Sequence, residues 1–344
     1  MSNKETHNNF NPNDTGVNNG NFFGFPYSLQ QADVVVYPVE WDVTTSYGGG
    51  ASRGPKAILD ASPQLDFYDW DYPHAWENKI GTAYANEAIS SANAPMRKLA
   101  ESVISHLENG GDKTAVIKDI ETINKASREM VERVKKDTRA LLDDGKKVVL
   151  LGGDHSTPLG YMQSLAESGE KFSILHIDAH ADLRDAYEGF EYSHASIMFN
   201  ALKIPQVERL VQVAIRDTCP DEIELVKKSG GRVRQFPYPL LAAREFCGEK
   251  WHDICHYIIE ALGERVYVSF DIDGLDPSLC PGTGTPVAGG LTFYQATYLL
   301  LMLKNSGREI IGADLNEVCP SSEENEWDAN VGARMLYKLC SLIS

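Results

Sequence analysis

The chain has 344 residues, 42% of them apolar, which is ample for a buried core. Its 32 basic and 49 acidic residues leave a net charge of −17, which repels phosphate backbones and argues against a nucleic-acid partner. No apolar run approaches the roughly 18 residues needed to cross a bilayer, and the N-terminus shows no basic and apolar leader. The expectation is a cytoplasmic protein with no membrane partner and a small neutral or cationic substrate.

Residues 1–24 contain eight Asn among scattered Gly and Asp, without helical or strand periodicity, and read as a mobile Asn/Gly-rich arm. A single domain is expected over 25–344. Its first strand spans 32–41, followed by the glycine-rich turn Thr44–Gly50 and a helix opening at Gly54-Pro55. Gly49 and Gly54 are spaced as in a phosphate-binding loop, but Pro55 stands where that motif wants Lys and no Ser or Thr follows Lys56, so phosphate binding is set aside.

Apolar residues recurring at three and four predict helices over 95–109 and 113–144. From Lys146 onward, strands expected at 147–152, 172–178, 209–215, 265–271 and 308–314 alternate with helices near 157–168, 194–203, 250–262, 292–305 and 326–342. Alternation of this kind predicts an α/β fold with a mostly parallel sheet and helices on both faces. The six cysteines, at 219, 247, 255, 280, 319 and 340, form no C-x-x-C pair, and four lie in or beside apolar runs, so reduced thiols are expected.

The chemistry concentrates at three strand ends. In His176-Ile-Asp-Ala-His-Ala-Asp182 the polar residues alternate with Ile177, Ala179 and Ala181, so an extended backbone points all four the same way. Such a set inside a core demands a cation, and a divalent metal supplies it. Val148–Leu151 runs into Asp154-His155, and Val266–Phe270 runs into Asp271, Asp273 and Asp276. The pooled ligands exceed what one tetrahedral zinc needs and include no thiolate, which favours two metals bridged by carboxylates. His252 and His256 also sit at i and i+4, but an apolar stripe through Ile254 and Ile258 explains that helix as packing.

These stretches resemble the ureohydrolase family, which includes arginase and agmatinase. Gly-Gly-Asp-His-Ser at 152–156, Asp-Ala-His-Ala-Asp at 178–182 and Ser-Phe-Asp-Ile-Asp-Gly-Leu-Asp-Pro at 269–277 match three family signatures in order. The resemblance covers most of 32–342 and implies the three-layer arginase/deacetylase-like fold and a catalytic domain over 25–344. It further implies a binuclear manganese centre, with Ni2+ or Co2+ as alternative ions. His155 and Asp182 would hold one ion, His180 and Asp273 the other, and Asp178 and Asp271 both. Asp154, His176 and Asp276 would orient these ligands from behind.

The implied reaction is hydrolysis of a guanidino compound to urea and an amine, in which the metals activate water against a poorly electrophilic carbon. Asp182 would carry a proton to the leaving nitrogen, His194 would shuttle protons, and Glu317 would grip the guanidinium in a two-pronged contact. Two departures bear on the substrate. Ala195 replaces the Gly that usually follows the shuttling His, and Cys219 stands where arginases carry an Asp for the α-ammonium. The second favours agmatine over arginine, with guanidinobutyrate, guanidinopropionate, free guanidine and formiminoglutamate as alternatives. A zinc deacetylase would use fewer acidic ligands, and a non-catalytic scaffold would have lost one. The resemblance also implies a homo-oligomer, trimer or hexamer.

Overall fold

The computed structural model describes residues 10–320 and 326–344. Among the described residues, runs of β-branched and aliphatic residues form eight strands: β1 (Val34–Pro38), β2 (Ile80–Thr82), β3 (Lys147–Leu151), β4 (Phe172–Ile177), β5 (Val207–Val213), β6 (Val233–Phe236), β7 (Arg265–Asp271) and β8 (Glu309–Asn316). They make one sheet in the order β2-β1-β3-β8-β7-β4-β5-β6, with every pairing parallel. Among the described residues, ten α-helices accompany it. They are α1 (Gly54–Ala61), α2 (Glu87–Glu108), α3 (Ile117–Asp143), α4 (Leu159–Ala166), α5 (Ile197–Ala201), α6 (Pro220–Lys228), α7 (Tyr238–Phe246), α8 (Trp251–Glu260), α9 (Phe293–Asn305) and α10 (Glu326–Ile343).

Both faces of the sheet are covered. Val34, Val36, Leu151, Leu175, Val268 and Leu315 pack into one apolar cluster, while Val35, Tyr37, Leu150, Ile174 and Tyr267 pack into another. Burying each large apolar side chain contributes about 1.5–3 kcal/mol, so two-faced burial requires continuous apolar runs rather than alternation. This is the pattern read from the sequence.

Register then places the chemistry. Leu151, Leu315, Phe270 and Ile177 lie in one row across β3, β8, β7 and β4. Each of these four central strands ends at or just beyond that row. The segments carrying Asp154-His155, Glu317, Asp271–Asp273 and Asp178–Asp182 therefore emerge side by side at the carboxyl edge, where open parallel sheets bind ligands.

Three expectations change. The arm does not extend to residue 24: Phe22, Phe23 and Phe25 are buried, and the Phe23 N–H donates to Ser62 Oγ at 2.7 Å. Their aromatic surface outweighs the surrounding Asn and Gly. Residues 1–9 lie outside the described residues. The helix expected from Pro95 begins instead at Glu87, capped by the Asn86 side chain, with Pro95 inside it. The edge strands β2 and β6 went unread because they are short, and β6 mixes Arg234 and Gln235 into its run. No helix among the described residues is long and apolar enough to cross a membrane.

Candidate active site

At the carboxyl edge the six ligand candidates come together with almost no exposure. His155, Asp178, Asp182, Asp271 and Asp273 are buried, and His180 retains 23% of its side-chain surface. Nδ1 of His155 lies 3.0 Å from Asp178 Oδ2, 3.1 Å from Asp271 Oδ2 and 3.4 Å from Asp182 Oδ2. Nδ1 of His180 lies 3.1 Å from Asp273 Oδ2 and 3.5 Å from Asp178 Oδ1. The two oxygens of Asp178 thus face different histidines, the disposition of a bridging carboxylate. Two groups of donors sharing Asp178, one with His155, His176 and Asp182 and one with His180 and Asp273, each converge within 4.8 Å.

Buried polar partners fix these side chains from behind. Nε2 of His155 is 2.9 Å from Ser269 Oγ, whose hydroxyl donates to Asp314 Oδ1 at 3.0 Å. One imidazole proton is therefore held on Nε2, and Nδ1 is the nitrogen left facing the aspartates, where a bound cation would take its lone pair. His176 plays a different part. Gln212 Nε2 donates to its Nδ1 at 2.9 Å and to Ala181 O, so His176 carries its proton on Nε2 and donates to Asp178 Oδ2 at 2.7 Å. His176 positions Asp178 rather than offering a free donor. Asp154 accepts from Ser156 on one oxygen and from the Thr44 N–H and hydroxyl on the other, and Thr44 Oγ1 in turn accepts the His194 N–H at 3.2 Å. Burial pushes the Asp154 carboxyl up to about 6. Asp276 does not join this layer, because it caps a turn through the Ser278 N–H and hydroxyl near the surface.

The backbone is strained where the chemistry converges. Asp182 has φ +53° and Glu317 has φ +65°, in the left-handed region that costs a non-glycine residue roughly 1–2 kcal/mol. Asp182 is held by the Met198 and Phe199 N–H groups, both donating to its carbonyl at 3.1 Å. Glu317 is held by its N–H on Gly153 O at 2.8 Å and by its Oε1, which accepts the His155 N–H at 2.8 Å. Glycine is required at 153 by a different neighbour, since a Cβ there would lie 2.0 Å from Trp41 O.

Electrostatics disfavour full ionisation of the clustered carboxyls. Four buried aspartates adjoin one another, and the ion pairs among the described residues bring them only histidine, never Lys or Arg. Burial, reinforced by neighbouring aspartates, pushes the carboxyls of Asp182 and Asp271 well above the carboxylate range. Bound divalent cations would remove that penalty, and a mixed imidazole and carboxylate donor set without thiolate suits borderline or hard ions. The residues present therefore fit a metal pair.

The cluster opens into a cleft of about 250 Å³ lined by His180, Asp182, His194 and Ala195, with Tyr47, Arg184, Tyr187 and Asp217 also on its wall. His194 is buried, and burial together with the nearby His180 and Arg97 lowers its pKa to about 3, so it sits neutral. Glu317 is buried as well; its Oε2 finds no hydrogen-bond partner among the described residues, and it adjoins Gly284 in the loop leading to the cleft residue Thr285. Cys219 is not on the cleft wall, whereas its neighbours Thr218 and Glu222 are; Cys219 stands at the N-cap of α6.

Sequence reasoning missed Ser269, Asp314, Gln212 and Thr44 as positioning groups. For Ser269, Asp314 and Gln212 the signal was a polar residue inside an otherwise apolar strand run, which a core tolerates only when hydrogen-bonded; Thr44, in the glycine-rich turn, carried no such signal.

The model described as the Arginase family matches residues 32–341. The chain belongs to the arginase family. It is 36% identical to an N(1)-aminopropylagmatine ureohydrolase of Thermus thermophilus over 87% of this chain and 86% of that protein. It is 30% identical to an agmatinase of Neisseria meningitidis over 94% and 93% of the two chains. The structure of proclavaminate amidino hydrolase from Streptomyces clavuligerus superposes with a TM-score of 0.74 over 94% of this chain and 96% of that one, at 24% identity, which shows the shared fold. The chain is thus an arginase-family ureohydrolase, a hydrolytic enzyme acting on guanidino C–N bonds in a family of binuclear metal enzymes.

Proposed function

We propose that the enzyme hydrolyses agmatine to putrescine and urea, with two Mn2+ ions as cofactor. The observation that carries the reading is the buried Glu317 carboxylate, whose Oε2 is unpaired among the described residues. A planar cation with paired N–H donors complements such a carboxylate in charge and shape. The cysteine at 219, in place of the acid expected of an arginase, supports a substrate without an α-amino acid head, and so does the agmatinase of N. meningitidis.

His155, Asp178, Asp182, His180, Asp271 and Asp273 would hold the ions, with Asp178 and Asp271 shared. The ions supply Lewis-acid activation of water and a positive field for charge that develops on the substrate. Glu317 orients the guanidinium so that its carbon faces the buried aspartates. Asp182, on the cleft wall, moves a proton from the attacking water to the departing nitrogen, which leaves as an amine. His194, neutral and also on the wall, relays protons between the cleft and solvent. Burial of the whole set excludes bulk water and strengthens each of these contacts.

A second reading is the longer substrate N(1)-aminopropylagmatine, supported by the name of the T. thermophilus relative and by the exposed carboxylate of Asp217, which could meet a distal ammonium. Urea release by the manganese-loaded enzyme across a panel of guanidino compounds tests both. Agmatine is expected to give the highest kcat/KM; a higher value for aminopropylagmatine selects the second reading, and preference for L-arginine overturns both. A cytoplasmic homo-oligomer, trimer or hexamer, belongs to the same proposal, and sedimentation of the purified enzyme tests the assembly.

A further inference from the structure

We propose that His252 and His256 form a separate, solvent-facing metal site on α8 that takes one borderline divalent cation such as Zn2+, Ni2+ or Cu2+. Packing alone does not account for this pair. Ile254, Cys255, Ile258 and Ile259 form the buried face of α8, while both histidines stand on its exposed side. One helical turn separates them, and their rings converge until the two Nε2 atoms are 3.1 Å apart. Two imidazole nitrogens that close share one proton in the metal-free protein, the protonated ring donating to the lone pair of the other. Replacing that proton with a cation lets both lone pairs point at one ion. With metal–nitrogen bonds of about 2.0–2.1 Å, a 3.1 Å separation corresponds to an angle of roughly 95–100° at the ion, between octahedral and tetrahedral values.

A second observation points the same way. Nδ1 of His252 is 2.9 Å from the Tyr298 hydroxyl on α9. When Nδ1–H donates to that oxygen, the Nε2 lone pair is left free and the ring is held in orientation, the arrangement that outer partners provide at metal-bound histidines. Two imidazoles with water completing the sphere select Zn2+, Ni2+ and Cu2+ over Mn2+, which prefers carboxylate-rich sites. This site and the aspartate-rich centre therefore sort metals differently, and a metal count made with nickel or zinc exceeds one made with manganese.

The full-length protein, stripped of metal, is titrated with Zn2+ by calorimetry beside His256→Ala and His252→Gln. The wild type is expected to bind one equivalent per chain more than either variant, whatever number all three share at the buried centre. Tyr298→Phe should keep that equivalent but weaken it about tenfold, the low end for loss of an orienting partner. Manganese-supported activity should be unchanged in all three variants. Equal zinc stoichiometry in wild type and both histidine variants overturns the proposal.

Discussion

The backbone N–H of His155 donates to Glu317 Oε1 at 2.8 Å, so the residue that would hold a metal and the residue that would hold the substrate share one hydrogen bond. β3 and β8 are neighbours in the sheet, and their loops meet directly beyond the last paired row. Glu317→Gln keeps an acceptor for the His155 N–H but removes the charge. It should raise KM by the equivalent of about 2–5 kcal/mol for a desolvated charge pair, with metal content unchanged. Glu317→Ala should differ, because the orphaned N–H costs about 1–3 kcal/mol and loosens His155, so metal content should fall too. Metal analysis beside steady-state kinetics separates the two.

Asp178→Asn and Asp271→Asn should each abolish most activity and lower metal content, since each is proposed to touch both ions. Metal analysis after manganese loading checks this. Two ions retained in either variant would remove the bridging role.

Ser269→Ala tests the partner behind His155. Without the hydroxyl, the Nε2 proton loses its acceptor at 2.9 Å and is left with Asp314 Oδ1 at 3.9 Å, and Asp314 loses a donor whose absence leaves its carboxyl, already pushed up to about 6 by burial, less well solvated. Metal affinity should drop about 10–100-fold while the fold is retained. A competitive chelator titration, with circular dichroism on the same samples, measures both.

The motif-borne part of this candidate site was legible because the candidate ligands at strand ends alternate with small apolar residues, and fully buried strands announce themselves as apolar runs. Glu317 and Asp271 could be placed at one sheet edge from strand positions alone. What was not legible follows from physics that acts across the sheet. Gln212 reads as an isolated amide in Leu-Val-Gln-Val, and only the register of β5 against β4 aligns it with His176. Asp276 looks like part of the carboxylate series, yet the turn it caps carries it away from the site. Phe22 and Phe23 were hidden by the Asn-rich composition around them, although two adjacent aromatics seldom stay in water.

His194 gives a pH prediction. Its pKa is lowered to about 3 in the folded state, against about 6.5 for an unperturbed His. Between these values the unfolded chain binds a proton that the folded chain does not. This residue's contribution to stability is therefore complete above about pH 6.5 and is lost as pH falls toward 3. In the metal-free protein, His194→Asn should flatten the acid limb of the stability profile, measured by urea unfolding between about pH 4 and 7. An unchanged slope would mean that His194 is not held neutral.

The last prediction concerns the tail of the substrate. Cys219 lies at the N-cap of α6, where its backbone N–H donates to Glu222 Oε2 at 2.8 Å. Glu222 also accepts the Leu183 N–H, which ties this helix start to the segment carrying Asp182. Cys219→Asp places a carboxylate one residue from the cleft-wall Thr218 and improves the cap, worth about 0.5–2 kcal/mol of stability before repulsion from Glu222 is subtracted. If the missing acid is what disfavours arginine, the variant should narrow the ratio of kcat/KM for agmatine to that for L-arginine, chiefly through KM for arginine. Thermal unfolding of the same variant reports the cap separately, so a change in stability without a change in the ratio would assign Cys219 to α6 alone. Equal ratios in wild type and variant, with arginine preferred by both, would reject agmatine as the substrate while leaving ureohydrolase chemistry in place.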